Sequence, residues 1–206
     1  MAIMGKLNEL KDKDDLWVIH FEVDEETHQF KHLFWMSPRQ VTLAQQFSDV
    51  IINDIAMLRN QYGCPLNIFV VIDQFFITWN IAYTLHTSET AEEHTWALDC
   101  LFDVLPPCPE RVFLSDADLG LDAAVSKRPR SEVAFHGQCL NHLDGNVIKK
   151  LAPILGPIFQ SFREAFWSVY YAISPKAFED AWQELLTKYP AAQEYLNREL
   201  WPDCER

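Results

Sequence analysis

The stretch Val50-Ile51-Ile52-Asn53-Asp54-Ile55-Ala56-Met57 is apolar at most positions yet carries an aspartate near its middle. A short apolar run of this kind reads as a buried strand. A carboxylate placed there is costly unless it is paired or holds a cation. A second run, Arg111-Val112-Phe113-Leu114-Ser115, is strand-like and closes on Asp116. If the two strands are neighbours in one sheet, their carboxylates converge. Hard oxygen ligands suit Mg²⁺ or Mn²⁺. Two such ions about 3.5–4 Å apart can activate an attacking oxygen and stabilise the leaving one in phosphodiester chemistry. Aspartates at strand ends and in turns are also common without any metal, so this pattern alone leaves both readings open.

Outward from Asp54, the pattern organises the whole chain. Leu16–Glu22 and His32–Met36 read as strands joined by a turn at Asp24–Thr27, which makes 16–36 a hairpin. Residues 1–15 are polar and read as a loose terminus. Ser37-Pro38 starts a helix that runs to about Phe47. Asn67–Phe76 and Thr78–His86 follow Val50–Met57 as strands. Ser88 or Thr90 caps a helix from Ala91 to Leu105, stopped by Pro106-Pro107. Arg111–Ser115 is a strand, Leu119–Val125 a short helix and Val133–His136 a last strand. Everything after Leu140 reads as helix, over 140–153, 157–173, 175–188 and 191–200.

Three consecutive strands followed by alternating β and α units is the ribonuclease-H-like order, an α/β mixed sheet, here with an all-helical C-terminal part. Doubly wound dinucleotide folds begin instead with alternation. Neither G-x-G-x-x-G nor G-x-x-x-x-G-K is present among the 6 glycines. The expected division is 1–36 as extension and hairpin, 37–140 as the core, and 141–206 as a helical region.

Composition narrows the function classes. The chain has 206 residues, 49% hydrophobic and 13% aromatic, which is enough for a packed core. No apolar run reaches the ~18 residues of a membrane span, so no membrane partner is expected. The five cysteines, 64, 100, 108, 139 and 204, are odd in number and scattered, which fits a reducing compartment. The net charge of −13 excludes a protein that grips DNA with its whole surface.

Two further sets of residues bear on chemistry. Cys139-Leu140-Asn141-His142 puts a cysteine and a histidine one helical turn apart. It is half of a zinc site, a Cys/His nucleophile pair, or neither, and no second C-x-x-C or H-x-x-x-H completes it. Among Glu164, Glu179, Asp180, Glu184, Glu194 and Glu199, most must be solvated charges on helix faces. Glu179 stands between Phe178 and Trp182, beside an apolar stripe, and is the one placed to face inward.

These segments, in this order, resemble the Mutator-like (MULE) transposase domain. Phe47-Ser48-Asp49-Val50 through Asp54 is similar to the family's phe-pro-asp-val-leu-x-x-asp start. Pro65-Leu66-Asn67 through Asp73 resembles the strand that follows there. Glu89-Thr90-Ala91-Glu92-Glu93-His94-Thr95-Trp96-Ala97-Leu98 is similar to the family's glu-thr-glu-glu-ser-tyr-x-trp-x-leu helix. Ser115-Asp116-Ala117-Asp118-Leu119-Gly120-Leu121 resembles its thr-asp segment. Cys139-Leu140-Asn141-His142-Leu143 with Asn146-Val147 resembles its cys-x-trp-his-leu-x-x-asn-val. Ala177-Phe178-Glu179-Asp180-Ala181-Trp182 and 189–196 resemble its last helices. The likeness covers roughly 30–200.

The resemblance implies a DDE triad on Mg²⁺ or Mn²⁺ that cleaves transposon ends and joins them to target DNA. It implies Asp54 and Asp116 as the first two acids, 116 − 54 = 62 positions apart, and Glu179 as the third, 179 − 116 = 63 positions on. Cys139 and His142 map onto the family's C-x-x-H. A nuclear location and a homo-oligomer follow by the same resemblance. Lys127-Arg128-Pro129-Arg130 is a basic loop that adds little as a targeting signal.

The sequence also departs from the family. Asn141 replaces a tryptophan, Ile55 and Ala56 replace a small polar and an aromatic residue, and Arg59 stands for the usual basic residue. The chain ends at Arg206, and the family's zinc-type modules are missing from it, which leads us to expect a fragment or an inactive copy. A domesticated, non-catalytic relative resembling the far-red-response transcription factors of plants is the alternative. An unrelated ribonuclease-H-type nuclease is a third reading, and would need Asp73 and Asp118 as extra metal ligands; their positions suit a turn and a helix cap instead.

Overall fold

The computed structural model describes residues 2–56, 63–116 and 118–200. Met57 and Arg59, expected at and just after the strand of Asp54, and Cys204 lie outside the described residues. Packing divides the chain into two units, 1–139 and 140–206.

The first unit is built on one mixed sheet. Its strands are β1 Val18–Val23, β2 Phe30–Met36, β3 Val50–Ala56, β4 Leu66–Ile72, β5 Thr78–Leu85, β6 Val112–Ser115 and β7 Phe135–Gln138. Their order across the sheet is β1-β2-β5-β4-β3-β6-β7. β3, β4 and β5 form an antiparallel meander, and β6 and then β7 add in parallel beside β3. This is the expected ribonuclease-H-like arrangement. The hairpin β1–β2 extends the same sheet from the free edge of β5. Residues 18–36 are thus part of one sheet with the core.

Among the described residues, four helices belong to this unit: α1 Ala2–Lys11, α2 Pro38–Phe47, α3 Ala91–Phe102 and α4 Leu119–Val125. Each start is set by local chemistry. Ser37 caps α2 in a full capping box with Gln40, and Thr90 and Asp118 cap α3 and α4 through their side chains. The loose terminus expected over 1–15 is corrected by α1. Ile3, Leu7 and Leu10 share one helical face, and Leu7 is buried. That stripe is masked in the sequence by the charges around it. β4 stops at Ile72, short of the expected Phe76, because Asp73 turns the chain. Its carboxylate accepts from the N–H groups of Phe75 and Ile77 and from the Trp79 indole. The Trp79 hydrogen bond leads in holding the Asp73 carboxyl below its usual range.

The core of the first unit gathers Phe34, Ile51, Phe69, Ile81, Leu98 and Phe113, all fully buried. Arg111 is buried with them at 1% exposure. Its guanidinium donates to the carbonyls of Ser48 at 2.6 Å, Pro106 at 2.6 Å and Glu132 at 3.1 Å, and to Ser48 Oγ at 3.2 Å. It ties the entrance of β6 to the loop before β3 and to the segment leading into β7.

The second unit is helical: α5 Leu140–Leu155, α6 Phe159–Tyr170, α7 Pro175–Lys188, and helical turns over 190–200. Phe162, Phe166, Trp182 and Leu185 centre a separate core. Arg163 of α6 grips Asp144 of α5 with two hydrogen bonds, 3.0 and 2.6 Å. The Arg163 hydrogen bond leads in holding the Asp144 carboxyl below its ordinary value of 3.8. A carboxyl whose folded pKa lies below its unfolded one stabilises fully above the unfolded value and loses that contribution as pH falls through the folded one. Asp144→Asn should therefore lower the melting temperature by about 2–4 °C near neutral pH, as a half-exposed bidentate pair warrants. The difference from wild type should close in strong acid; thermal melts at both pH values check this.

Candidate functional site

β3 and β6 run in parallel with Ile51 opposite Phe113 and Ile52 opposite Leu114. Asp54 lies two residues beyond Ile52 within β3, and Asp116 two beyond Leu114, directly after the last residue of β6. The register therefore carries both aspartates to matching positions of adjacent strands. Strand alternation puts them on one face, opposite to buried Ile51, Asn53, Phe113 and Ser115.

Both aspartates are exposed. The desolvation argument that singled them out from the sequence fails, because strand alternation turns them outward from an apolar run that is only half buried. What the fold supplies instead is juxtaposition. Two carboxylates at matching positions repel each other unless a cation lies between them. A donor set of hard oxygens on an accessible face is what Mg²⁺ or Mn²⁺ accepts.

Behind the pair the sheet is polar and ordered. Asn53 donates through its side-chain amide to Asn67 Oδ1, a buried contact between β3 and β4. Ser115 Oγ lies 2.8 Å from His136 Nε2 on β7 and donates to the Asp116 carbonyl at 3.0 Å. Buried polar links of this kind fix register, because a slip would strand each partner. Thus Asn53 and Ser115 position the backbone that carries Asp54 and Asp116. Neither residue was singled out in the sequence, since pairing between strands far apart in the chain leaves no local signal.

The remaining predicted residues divide between the units. Asp118 caps α4, its Oδ1 accepting from Leu121 N–H at 2.7 Å, and Asp73 holds its turn, as their positions suggested. Neither widens the Asp54/Asp116 pair into an acidic nest. Cys139 is partly buried and precedes α5 rather than lying within it. Its N–H donates to Ser115 O at 2.7 Å, which continues the β6–β7 ladder. His142 stands in the first turn of α5, in the second unit. Glu179 lies on α7, also in the second unit, and is exposed there, so the expected inward orientation is not met. Trp182, three residues on, is buried in the core of the second unit, and Glu179 is not.

Among the described residues of the first unit, the cluster of three or more His, Cys, Asp or Glu side chains that can share one ion is His32, His86 and Glu93. It does not include Asp54 or Asp116. Sequence reasoning passed over it entirely.

The comparisons with known proteins agree with the sheet. Residues 8–120 match the family model described as zinc finger SWIM domain-containing protein 1/3, RNaseH-like domain. The putative protein FAR1-RELATED SEQUENCE 10 of Arabidopsis thaliana is 23% identical over 197 residues, covering 92% of this chain and 28% of that protein. Protein FAR1-RELATED SEQUENCE 11 of the same plant is 19% identical over 199 residues, covering 93% of this chain and 29% of that protein. The chain thus spans less than a third of the length of these relatives. The matched segment contains the whole β1–β6 sheet and both aspartates, and on that match the chain belongs to the transposase-related RNaseH-like domain family of zinc finger SWIM domain-containing protein 1/3.

Proposed function

We propose that this chain is the ribonuclease-H-like core of a Mutator-like DDE transposase lineage, acting on DNA with Mg²⁺ or Mn²⁺ at Asp54 and Asp116. The reading is supported by the β3–β6 register, whose last pair, Ile52 with Leu114, lies two residues before Asp54 and Asp116, both of them exposed. By the resemblance the third acid is Glu179, a proposal that rests on its position in the sequence alone. Bound divalent ions would supply activation of the nucleophile, first water and then a DNA 3′-hydroxyl, and would neutralise charge on the phosphorus in the transition state. Asp54 and Asp116 orient those ions. The Asn53–Asn67 contact ties β3 to β4, and the Ser115–His136 contact ties β6 to β7, so each acid's strand is anchored on its outer side. Transposon ends and target DNA are the proposed partners, in the nucleus and through a homo-oligomer, with other segments supplying the basic surface that this acidic chain lacks.

The second reading is a domesticated, non-catalytic regulatory domain. It is favoured by one observation: in the first unit, among the described residues, the group of three side chains close enough to share an ion is His32, His86 and Glu93. The two readings part in a nicking assay on supercoiled plasmid and on model transposon ends, with Mn²⁺, Mg²⁺ or chelator. Metal-dependent cleavage that disappears in Asp54→Ala supports the catalytic reading. Intact DNA under every condition, with the chain folded and Mn²⁺ bound or unbound, supports the regulatory one.

A further inference from the structure

His32 lies on β2, His86 directly follows β5, and Glu93 lies in the first turn of α3. β2 and β5 pair with Leu33 opposite Leu85 and Phe34 opposite Thr84, so one step further His32 stands opposite His86. The N-terminal turn of α3 then presents Glu93 to both. All three are buried, at 4%, 1% and 8% exposure. One donor atom from each lies within 4.8 Å of the others.

The bonding of these side chains is what distinguishes a site from a packed histidine pair. Glu93 stands three residues after the Thr90 cap, where a glutamate ordinarily reaches back to the cap's own N–H. Here its carboxylate turns inward. Oε1 accepts from Thr87 Oγ and Ser88 Oγ, each at 3.3 Å. Oε2 lies 2.7 Å from His32 Nδ1 and 3.4 Å from His86 Nδ1. Yet none of His32 Nδ1, His86 Nδ1, His86 Nε2 and Glu93 Oε2 has a hydrogen-bond partner among the described residues. The 2.7 Å contact is an ion pair if the His32 ring is protonated; with a neutral ring both atoms are left without a partner of their own. Buried polar atoms that converge unpaired are rare and need a third body to satisfy them.

We propose that His32 Nδ1, His86 Nδ1 and Glu93 Oε2 bind one first-row divalent transition-metal ion of the Zn²⁺ class. The donor set, two imidazoles and a carboxylate, is a zinc-type set and not one that Mg²⁺ or Ca²⁺ prefers. Bonds of about 2.0–2.1 Å in tetrahedral geometry separate neighbouring ligand atoms by about 3.3–3.4 Å. His86 and Glu93 stand at 3.4 Å already, and His32 and Glu93 need open only slightly from 2.7 Å. An outer layer is also in place. His32 turns its other nitrogen, Nε2, toward Glu22 Oε2 at 3.7 Å. Its ring stacks on Trp96, with centroids 4.7 Å apart, and the Trp96 indole donates to Glu22 at 2.8 Å. A carboxylate behind a ligating histidine orients the ring and raises its basicity. His94 packs edge-on against His86, with centroids 5.6 Å apart, and walls the remaining side. The ion would link the hairpin β1–β2 to β5 and α3, a structural role away from Asp54 and Asp116.

The test uses the full chain. It is stripped with chelator, incubated with Zn²⁺ and passed through a desalting column, and metal content is measured by mass spectrometry. The expected result is one Zn²⁺ per chain and a melting temperature raised by about 5–10 °C at a hundredfold excess over Kd. Glu93→Gln and His86→Ala should lose the ion, Glu22→Gln should weaken it by about 10–100-fold, and Cys139→Ser and Asp54→Ala should keep it. The Co²⁺ form of the wild type should show visible d–d bands without a thiolate charge-transfer band, a readout that does not depend on any variant folding. A wild type that retains no Zn²⁺, or an ion lost in Cys139→Ser and kept in His86→Ala, overturns the proposal.

Discussion

Asp116→Ala is expected to cut metal-dependent DNA nicking by at least about 10³-fold while leaving the fold intact. On the proposed reading Asp116 holds the ion that stabilises charge at phosphorus. A loss of that size corresponds to about 4 kcal/mol of barrier. Stability should move little, by about ±0.5 kcal/mol, because Asp116 is exposed and its side chain packs into no core. Mn²⁺ should raise the melting temperature of the wild type more than that of Asp116→Ala. Parallel nicking assays and thermal melts with and without Mn²⁺ check both halves. Equal nicking by wild type and variant would remove Asp116 from the chemistry. A large loss of stability would make it a structural residue.

Arg111→Met is expected to do the opposite, destabilising by about 3–5 kcal/mol. Arg111 is the largest fully buried side chain in the described residues, and a methionine of similar length leaves no donor. The Ser48 carbonyl would then be buried without the partner that now satisfies it, and the part-buried carbonyls of Pro106 and Glu132 would lose theirs. Hydrogen bonds to a charged donor contribute about 1.5–3 kcal/mol each, with partial compensation when several are lost together. The Phe102 ring would lose one of two guanidinium neighbours, Arg111 at 5.4 Å, and keep Arg128 at 5.1 Å. Because Arg111 fixes the entrance of β6, the disturbance should reach Asp116 five residues on, so any nicking activity should fall with the fold. Urea unfolding of wild type and variant gives the number. A change below about 1 kcal/mol would mean that water replaces the guanidinium.

These two variants separate what holds the site from what acts in it, and they show how differently the sequence exposes the two. The strand runs around Asp54 and Asp116, the Ser37 and Thr90 caps and the Asp73 turn are local facts, carried by side chains a few positions apart, and they were legible in order. Local patterns failed where the signal was mixed with charge, as in α1. They also failed where a strand was placed by its partner, as in β7, which begins at Phe135 rather than Val133 because it pairs in register with β6.

The sequence by itself determined the mixed sheet with its appended helices, because apolar period, caps and breakers act over a few residues. It also picked out Asp54 and Asp116, though on the premise that they were buried. Only the tertiary structure decided that they are exposed yet share one face of adjacent strands, since that depends on the β3–β6 register and not on either run. It alone brought together His32, His86 and Glu93, three residues separated by 54 and 7 positions (86 − 32 and 93 − 86). Strand pairing and helix docking set those distances, and neither leaves a mark in the local order of residues.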